Sequence, residues 1–217
     1  MTHFSDGVRV GRYFGNNGSA AVAGTATSPI FVYDFVPAAL STTAVAAAQA
    51  VAGAGNLTLA ALTIDFPRAV QIVSSNVGDT TQTALVTGKD VYGVPMSELI
   101  TFNGTTPVLG KKAFASISSV YVSAALAGNA SVGTTDVFGL PYVVTTRNYA
   151  VTFDNGAQVT TGTFTAAVTT SPATTTTGDI RGTWDPATAA NGTVRFTVWM
   201  FIKDPDTVTG LYGVTQA

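Results

Sequence analysis

The sequence predicts an all-β fold, an antiparallel sandwich or barrel for which a jelly-roll arrangement is one candidate. Three observations predict this class. Short segments rich in Val, Ile, Thr and Phe recur along the chain, and Gly, Asn, Asp and Pro separate them. Asn-Gly pairs, which favour tight hairpin turns, occur at Asn103-Gly104, Asn155-Gly156 and Asn191-Gly192. The length of 217 residues suits one β domain. This pattern favours antiparallel sheets over βαβ units.

The composition divides the chain into an arm and a domain. Residues 1–29 are rich in Gly, Asn, Ala and Ser, and only Val8–Phe14 predicts a short strand there. We expect an extended N-terminal arm, which either reaches a neighbouring subunit or is a poorly ordered terminus. Residues 30–217 are expected to form a single β domain, with a subdivision near residues 145–148 as the alternative.

The expected elements follow in chain order. Ile30–Val36 predicts the first strand, and Pro37 closes it. The Ala-rich stretch that follows predicts at most one short helix, over residues 43–52, which Gly53 ends. Ser171–Gly178 has low complexity and predicts an exposed loop or a linker. Further strands are expected at Leu57–Leu59, Leu62–Ile64, Pro67–Ser75, Gln82–Lys89, Met96–Phe102, Ala115–Leu126, Tyr149–Phe153, Val159–Val168, Ile180–Trp184 and Val194–Ile202.

The turn at Asn155-Gly156 allows a prediction of register. A two-residue turn would place Phe153 opposite Gln158, whereas a shift by one residue places Phe153 opposite Val159 and matches two apolar side chains. Because register follows the buried face of a strand, we predict a three- or five-residue loop with a bulge.

The composition also bears on the function classes. The chain has no cysteine, one histidine (His3) and one glutamate (Glu98), and charged residues make up 10% of it. Active sites are usually built from these residue types, so the sequence predicts no catalytic residues, no metal ligands and no cofactor. The net charge of −2 gives no basic field for nucleic acid. Since no run of about 18 apolar residues occurs, we predict no membrane-spanning helix.

The charged residues that are present have unremarkable expected roles. Five aspartates in turn-like contexts predict turn chemistry, namely Asp79, Asp90, Asp154, Asp179 and Asp185. Lys111-Lys112 predicts a solvated turn, and Lys203–Gly210, which has a faint likeness to a calcium loop, predicts a turn at a strand end. A deep cleft holding two close carboxylates would instead favour a glycan hydrolase on a β scaffold, a remote alternative.

The C-terminal strand predicts a subunit interface. Alternation places Val194, Phe196 and Val198 on one face, and the other face carries Arg195, Trp199 and Phe201. A strand with one face in water should not place Trp and Phe on that face. We therefore name Arg195, Trp199 and Phe201 as a candidate subunit interface, since aromatic residues and Arg are favoured interface anchors. Burial of both faces within the chain is the alternative.

The stretch from Pro67 to Tyr142 carries an ordered set of short patterns. They are G-x-D-x-[YF]-G at Gly88–Gly93, x-E-x-[IL] around Glu98, G-K-K-A-F-x-x-I at Gly110–Ile117, and V-G followed by G-L-P at Gly139–Pro141. As a set, they resemble the sequences of a group of tailed-bacteriophage virion proteins. The resemblance covers about a third of the chain and implies a small all-β structural protein of the particle, such as a head decoration (cement) protein. It supplies no catalytic residues.

The residues of these patterns also lead to expectations about the structure. Asp90–Gly93 should form the turn between two strands. Glu98 lies on an alternating strand, so we expect it to face solvent or to pair with Lys89 across the hairpin. Phe114 and Ile117 are expected in the core.

Together these observations predict a non-enzymatic capsid decoration protein of the virion, assembled in the host cytoplasm. Its expected partners are the major capsid protein and further copies of itself in a small homo-oligomer such as a trimer, with no membrane and no direct nucleic-acid contact. Many modest contacts repeated over a symmetric lattice would brace the shell. A phage tail or neck component, or a host-binding spike domain, is the first alternative.

Overall fold

The computed structural model describes residues 30–60, 63–201 and 211–217, and this part of the chain is nearly all β. Every strand pairing in it is antiparallel, so the predicted fold class is confirmed. The strands are β1 (Ile30–Phe35), β2 (Ser41–Ala50), β3 (Gly55–Asn56), β4 (Thr63–Ser74), β5 (Thr83–Lys89), β6 (Pro95–Thr101), β7 (Val108–Leu109), β8 (Phe114–Val122), β9 (Asn129–Gly139), β10 (Ala150–Asp154), β11 (Ala157–Val159), β12 (Thr163–Thr165), β13 (Thr183–Asp185) and β14 (Phe196–Phe201). A single 3-10 turn spans Arg147–Tyr149.

Two predictions concern segments that the structure does not describe. The N-terminal arm over residues 1–29, with its Val8–Phe14 strand, lies outside the described residues. So does the loop at Lys203–Gly210. The single domain over residues 30–217, with its alternative subdivision, stays a prediction. Among the described residues, no helix is long and apolar enough to span a bilayer.

The strands form a large and a small sheet. The large sheet runs in the order β12-β13-β9-β4-β8-β5-β6, with β2 beside β9, β3 beside β8 and β7 beside β4. The small sheet runs in the order β1-β14-β10-β11. The curled sheets together form a half-barrel or sandwich.

Two apolar clusters occupy the interior. The first lies on the large sheet and contains Phe114 and Ile117, so these two core predictions are confirmed. The second cluster joins the two sheets, because Phe196 of the small sheet packs against Phe138 and Trp184 of the large one. The rings of Trp184 and Phe196 meet edge to face, with centroids 5.6 Å apart. This second cluster fixes the inner face of β14.

The predicted helix over residues 43–52 is wrong, because this stretch forms most of strand β2. β2 pairs with β9, and Val45 and Ala46 are buried there. The two strands approach closely at Gly133, where a Cβ would lie 2.0 Å from the carbonyl oxygen of Ser41. The helix preference of Ala is a weak term, and pairing with β9 overrides it.

The predicted loop at Asn155-Gly156 is also wrong. β10 and β11 are joined by a two-residue turn, and Phe153 lies opposite Gln158. Both turn residues have positive φ, 47° at Asn155 and 82° at Gly156, which is the geometry of a tight type I′ turn. The prediction assumed that Phe153 is buried and therefore pairs with the apolar Val159. It failed because Phe153 does not lie on the buried face of β10.

The other turn predictions have mixed outcomes. The turn at Asp90–Gly93 joins β5 to β6 as predicted, and Asp90 Oδ1 accepts the amides of Tyr92 and Val94 (both 2.9 Å). Asn103-Gly104 and Asn191-Gly192 lie in turns, but neither joins two paired strands. The first connects β6, which pairs with β5, to β7, which pairs with β4. The second lies between β13 and β14, which belong to different sheets.

Strand β6 ends the large sheet, and other segments cover its free edge. The amide of Ser97 donates to the carbonyl oxygen of Ala217 (2.8 Å), and the amide of Leu99 donates to that of Thr175 (2.8 Å). Ser171–Gly178 is the predicted loop, and its contact with β6 explains why parts of it, such as Ala173, are buried. Edge amides that are bonded in this way cannot template pairing with another chain.

Candidate interaction surface

The small sheet has one buried face and one open face. Along β14, Phe196, Val198 and Met200 are fully buried, and Thr197, Trp199 and Phe201 are half-buried. The alternation predicted from the sequence is therefore present in the structure.

The open face of the small sheet, here called the outer face, is apolar over three strands. Residues that pair in register point to the same side of a sheet, so β1 and β10 supply neighbours for the β14 aromatics. Trp199 pairs with Val32 on one side and with Val151 on the other. The apolar residues of the outer face are Ile30, Val32, Val151, Phe153, Trp199 and Phe201, and Asp34 and Thr197 lie on the same side of the sheet.

The side chains of the outer face are accessible without being fully exposed. Val32 is 43% exposed, and the other five are half-buried. Part of this burial is mutual, because the rings of Trp199 and Phe153 pack with centroids 4.7 Å apart. A contiguous apolar patch on a sheet face is typical of a site for another protein surface.

An ion pair borders the outer face. Arg195 Nε donates to both carboxylate oxygens of Asp34 (2.8 and 2.9 Å), and Nη2 also contacts Oδ2. The hydroxyl of Thr197 donates to Oδ1 (3.0 Å). The hydrogen bond from Arg195 holds the pKa of Asp34 below its ordinary value. The Arg195 side chain remains 64% exposed, so it forms a polar rim beside the apolar residues.

The structure thus brings the three predicted interface residues, Arg195, Trp199 and Phe201, onto one face, together with Val32 and Phe153. The sequence showed the alternation of β14. Identifying the neighbours from β1 and β10 required the register, which the sequence did not reveal. That a second subunit covers this face stays a prediction.

Two charged residues expected in solvent are buried instead. Glu98 is 2% exposed, and its oxygens accept the backbone amides of Lys111 (2.6 Å) and Lys112 (3.2 Å). Lys89 lies opposite Pro95 and does not pair with Glu98. Lys112 is fully buried, and its ammonium nitrogen has no hydrogen-bond partner among the described residues. Burial raises the pKa of Glu98 and lowers that of Lys112.

Two aspartates assigned to turn chemistry also make buried polar contacts, one of them an ion pair. Asp90 Oδ2 accepts Arg181 Nη2 at 2.9 Å, and both side chains are buried. Asp179 accepts the amides of Ala113 (3.0 Å) and Arg181 (2.8 Å). Burial raises the pKa of Asp179. These groups tie the loop that precedes β13 to the β6 edge of the large sheet.

The sequence did contain one signal for the burial of Glu98. In a strand of period two, Glu98 shares its face with Met96 and Ile100, both of which are buried. A strict reading of the alternation would have placed the carboxylate inside.

Comparison of the chain with models of protein families, with curated proteins and with solved structures finds no match. The functional inference therefore rests on the geometry of the molecule and on the sequence resemblance of Pro67 to Tyr142.

Proposed function

We propose that the protein is a structural component of a tailed-bacteriophage particle, a capsid decoration protein that binds the major capsid protein and further copies of itself. The observation that carries the proposal is the outer face of the small sheet, an apolar surface on three paired strands. The sequence patterns from Pro67 to Tyr142 support the assignment to a phage particle. In this role the protein acts in the virion, having assembled in the host cytoplasm.

The mechanism requires no chemistry on a substrate. Trp199 and Phe153 form the centre of the contact, and the exposed Arg195–Asp34 pair lies at its rim. Contacts of this size are individually modest. Repeated in a homo-oligomer such as a trimer, and again over a symmetric shell, they yield high overall avidity.

The outer face is tested by the variant Trp199→Ser. Sedimentation velocity measures its assembly state, and far-UV circular dichroism measures its fold. We expect a folded monomer where the wild type is an oligomer, since the variant removes the largest ring of the face. Tyr121→Ser is the matched control, because Tyr121 is 43% exposed but lies on β8 of the large sheet. An unfolded Trp199→Ser chain, or a folded one that assembles like the wild type, contradicts the interface.

The place on the particle is tested by the copy number in purified virions, measured by quantitative mass spectrometry. Decoration of a symmetric shell predicts on the order of hundreds of copies, whereas a tail or neck component, or a spike, predicts about a dozen or fewer. The lower copy number would contradict the decoration role. The outer face would then be a contact surface in a different part of the virion.

A further inference from the structure

A short segment that follows the small sheet in the chain lies against the β6 edge of the large sheet. It spans residues 211–217 and is here called the docked segment. The carbonyl oxygen of Ala217 accepts both the amide (2.8 Å) and the hydroxyl (3.0 Å) of Ser97 on β6. The carbonyl oxygen of Thr215 accepts the amide of Ala173 at 2.8 Å. Backbone hydrogen bonds thus hold the docked segment both to β6 and to the loop at residues 171–178, as they hold an extended peptide at a sheet edge.

Side-chain contacts make this docking specific to the sequence of the segment. Gln216 Nε2 donates to Asp90 Oδ2 at 3.0 Å, and the same oxygen accepts the buried Arg181. The ring of Tyr212 meets the ring of Tyr92 edge to face, with centroids 5.4 Å apart. Two side chains of the docked segment are therefore matched to partners at the turn between β5 and β6.

Gly213 brings the backbone of the docked segment close to the domain. Its φ is 65°, and a Cβ at this position would lie 2.9 Å from the carbonyl oxygen of Ile180. Both the backbone conformation and the close approach favour glycine here. The sequence that fits is therefore Tyr-Gly-x-x-Gln, which is Tyr212–Gln216 in this chain. The residues that receive it, here called the β6 groove, are Asp90, Tyr92, Ser97, Ala173, Ile180 and Arg181.

The course of the chain connects the docked segment to the outer face. The segment follows strand β14 in the chain, and Phe201, the last residue of that strand, lies on the outer face. Residues 202–210, which lie outside the described part of the chain, join the two and can span up to about 30 Å. The described contacts of the segment begin at Leu211, whose carbonyl oxygen accepts Arg181 Nη1 at 3.3 Å. These contacts are the same whether the segment belongs to the same chain or to a copy bound at the outer face.

We propose that copies of the protein exchange the docked segment, so that residues 211–217 of one copy occupy the β6 groove of a second copy. The inference rests on the self-association proposed above. Exchange of an identical element between copies keeps every contact of the groove, which makes it a low-cost route to an oligomer. It also links the copies at a second place besides the outer face, and two linked contacts bind with higher avidity than either alone.

The chain contains no cysteine, so introduced thiols test the exchange directly. Ser97→Cys places a thiol in the β6 groove, and Ala217→Cys places one on the docked segment, at two residues that are hydrogen-bonded in the wild type. The two single variants are co-expressed and oxidised, and non-reducing mass spectrometry identifies the products. We expect a covalent heterodimer that contains one chain of each variant. The double variant, expressed alone, should give covalent oligomers.

The matched control replaces Ser97→Cys by Thr101→Cys. Thr101 is an exposed residue of the same strand and has no hydrogen bond to the docked segment among the described residues, so it should give no heterodimer with Ala217→Cys. A double variant that yields only monomers with an internal disulfide overturns the exchange, because the segment then docks on its own chain. Equal yields from Thr101→Cys and Ser97→Cys, or no disulfide in any sample, also overturn it.

A second test uses glycine substitutions without any crosslink. Gly213→Ala should weaken self-association by about tenfold in sedimentation equilibrium, because its methyl group overlaps Ile180 in the groove. Gly192→Ala is the matched control, since Gly192 also has positive φ (83°) but open space around its Cβ position. Gln216→Ala, which removes one hydrogen bond of the segment, should weaken self-association less and serves if Gly213→Ala does not fold. Equal effects of the two glycine variants, or self-association that Gly213→Ala and Gln216→Ala both leave unchanged, contradict the exchange.

The exchange and the proposed function can fail separately. If Trp199→Ser is a folded monomer while the double cysteine variant forms only internal disulfides, the outer face is the contact between copies and the exchange is wrong. If the wild type is monomeric in sedimentation velocity and the disulfides are internal, both are wrong.

Discussion

The β6 edge of the large sheet and the outer face of the small sheet differ in where their charged side chains lie. At the β6 edge, charged side chains such as Glu98, Lys112 and Arg181 are buried, and a loop covers the strand. On the outer face, the charges of Arg195 and Asp34 stay at the surface, and apolar side chains face outward. The difference indicates that buried charge fixes the large sheet internally. The small sheet instead keeps an accessible apolar face.

The largest expected effect concerns the buried ion pair. Arg181→Met removes the partner of Asp90 Oδ2 and leaves a buried carboxylate with less compensation. The expected loss is about 3–5 kcal/mol in the free energy of unfolding, because a buried charge without its partner carries its full desolvation cost. Urea unfolding at neutral pH measures it. A loss similar to that of Asp34→Asn, which breaks the exposed pair, would show that the two regions do not differ in this way.

A smaller effect is expected in the pH dependence of the stability that Glu98, on the β6 edge, contributes. Burial raises the pKa of Glu98 above its ordinary value of 4.5, so the folded state binds a proton more readily than the unfolded state. The contribution of Glu98 to stability therefore increases as the pH falls toward 4.5 from neutral and decreases as the pH rises.

The measurement is the difference in unfolding free energy between the wild type and Glu98→Gln from pH 7 to 4.5. Taking the difference removes most of the contribution of other groups, such as Asp34, whose pKa is lowered and whose effect has the opposite sign. The difference should shift in favour of the wild type on acidification. A flat difference would show that the backbone amides of Lys111 and Lys112 offset the burial of the carboxylate.

The sequence predicted most strands because period-two alternation marks a strand with one buried face. It failed where the alternation is interrupted. Strand β9 was not recognised, since Gly133 and the bulge at residues 135–137 break its pattern. β2 was assigned to a helix because its Ala residues favour helix locally, and only pairing with β9 makes it a strand. Both failures have the same cause, namely contacts between residues distant in the chain.

The candidate sites show the same limit. Trp199 and Phe201 were predictable because one strand supplies both. The position of Phe153 beside them depends on the register of β10 with β14. The wrong turn prediction at Asn155-Gly156 had placed Phe153 on the buried face, so its place on the outer face was missed. Asp136 reaches the amide of Ala190 beyond β13 only through the bulge in β9, so local sequence gave no signal for that contact.

The smallest expected effect concerns the rim of the outer face. Arg195→Ala removes an exposed cation whose ion pair with Asp34 lies in water, so the unfolding midpoint should not change measurably. Self-association should weaken by about threefold to tenfold and should depend less on salt, because a rim charge acts chiefly on the encounter between subunits. Sedimentation equilibrium at two ionic strengths measures both, with Lys89→Ala, an exposed cation on β5, as the matched control. Equal effects of the two variants would mean that net charge, and not the outer face, governs association. A large loss of stability in Arg195→Ala would instead place this ion pair with the buried charges of the β6 edge and remove the contrast between the two regions.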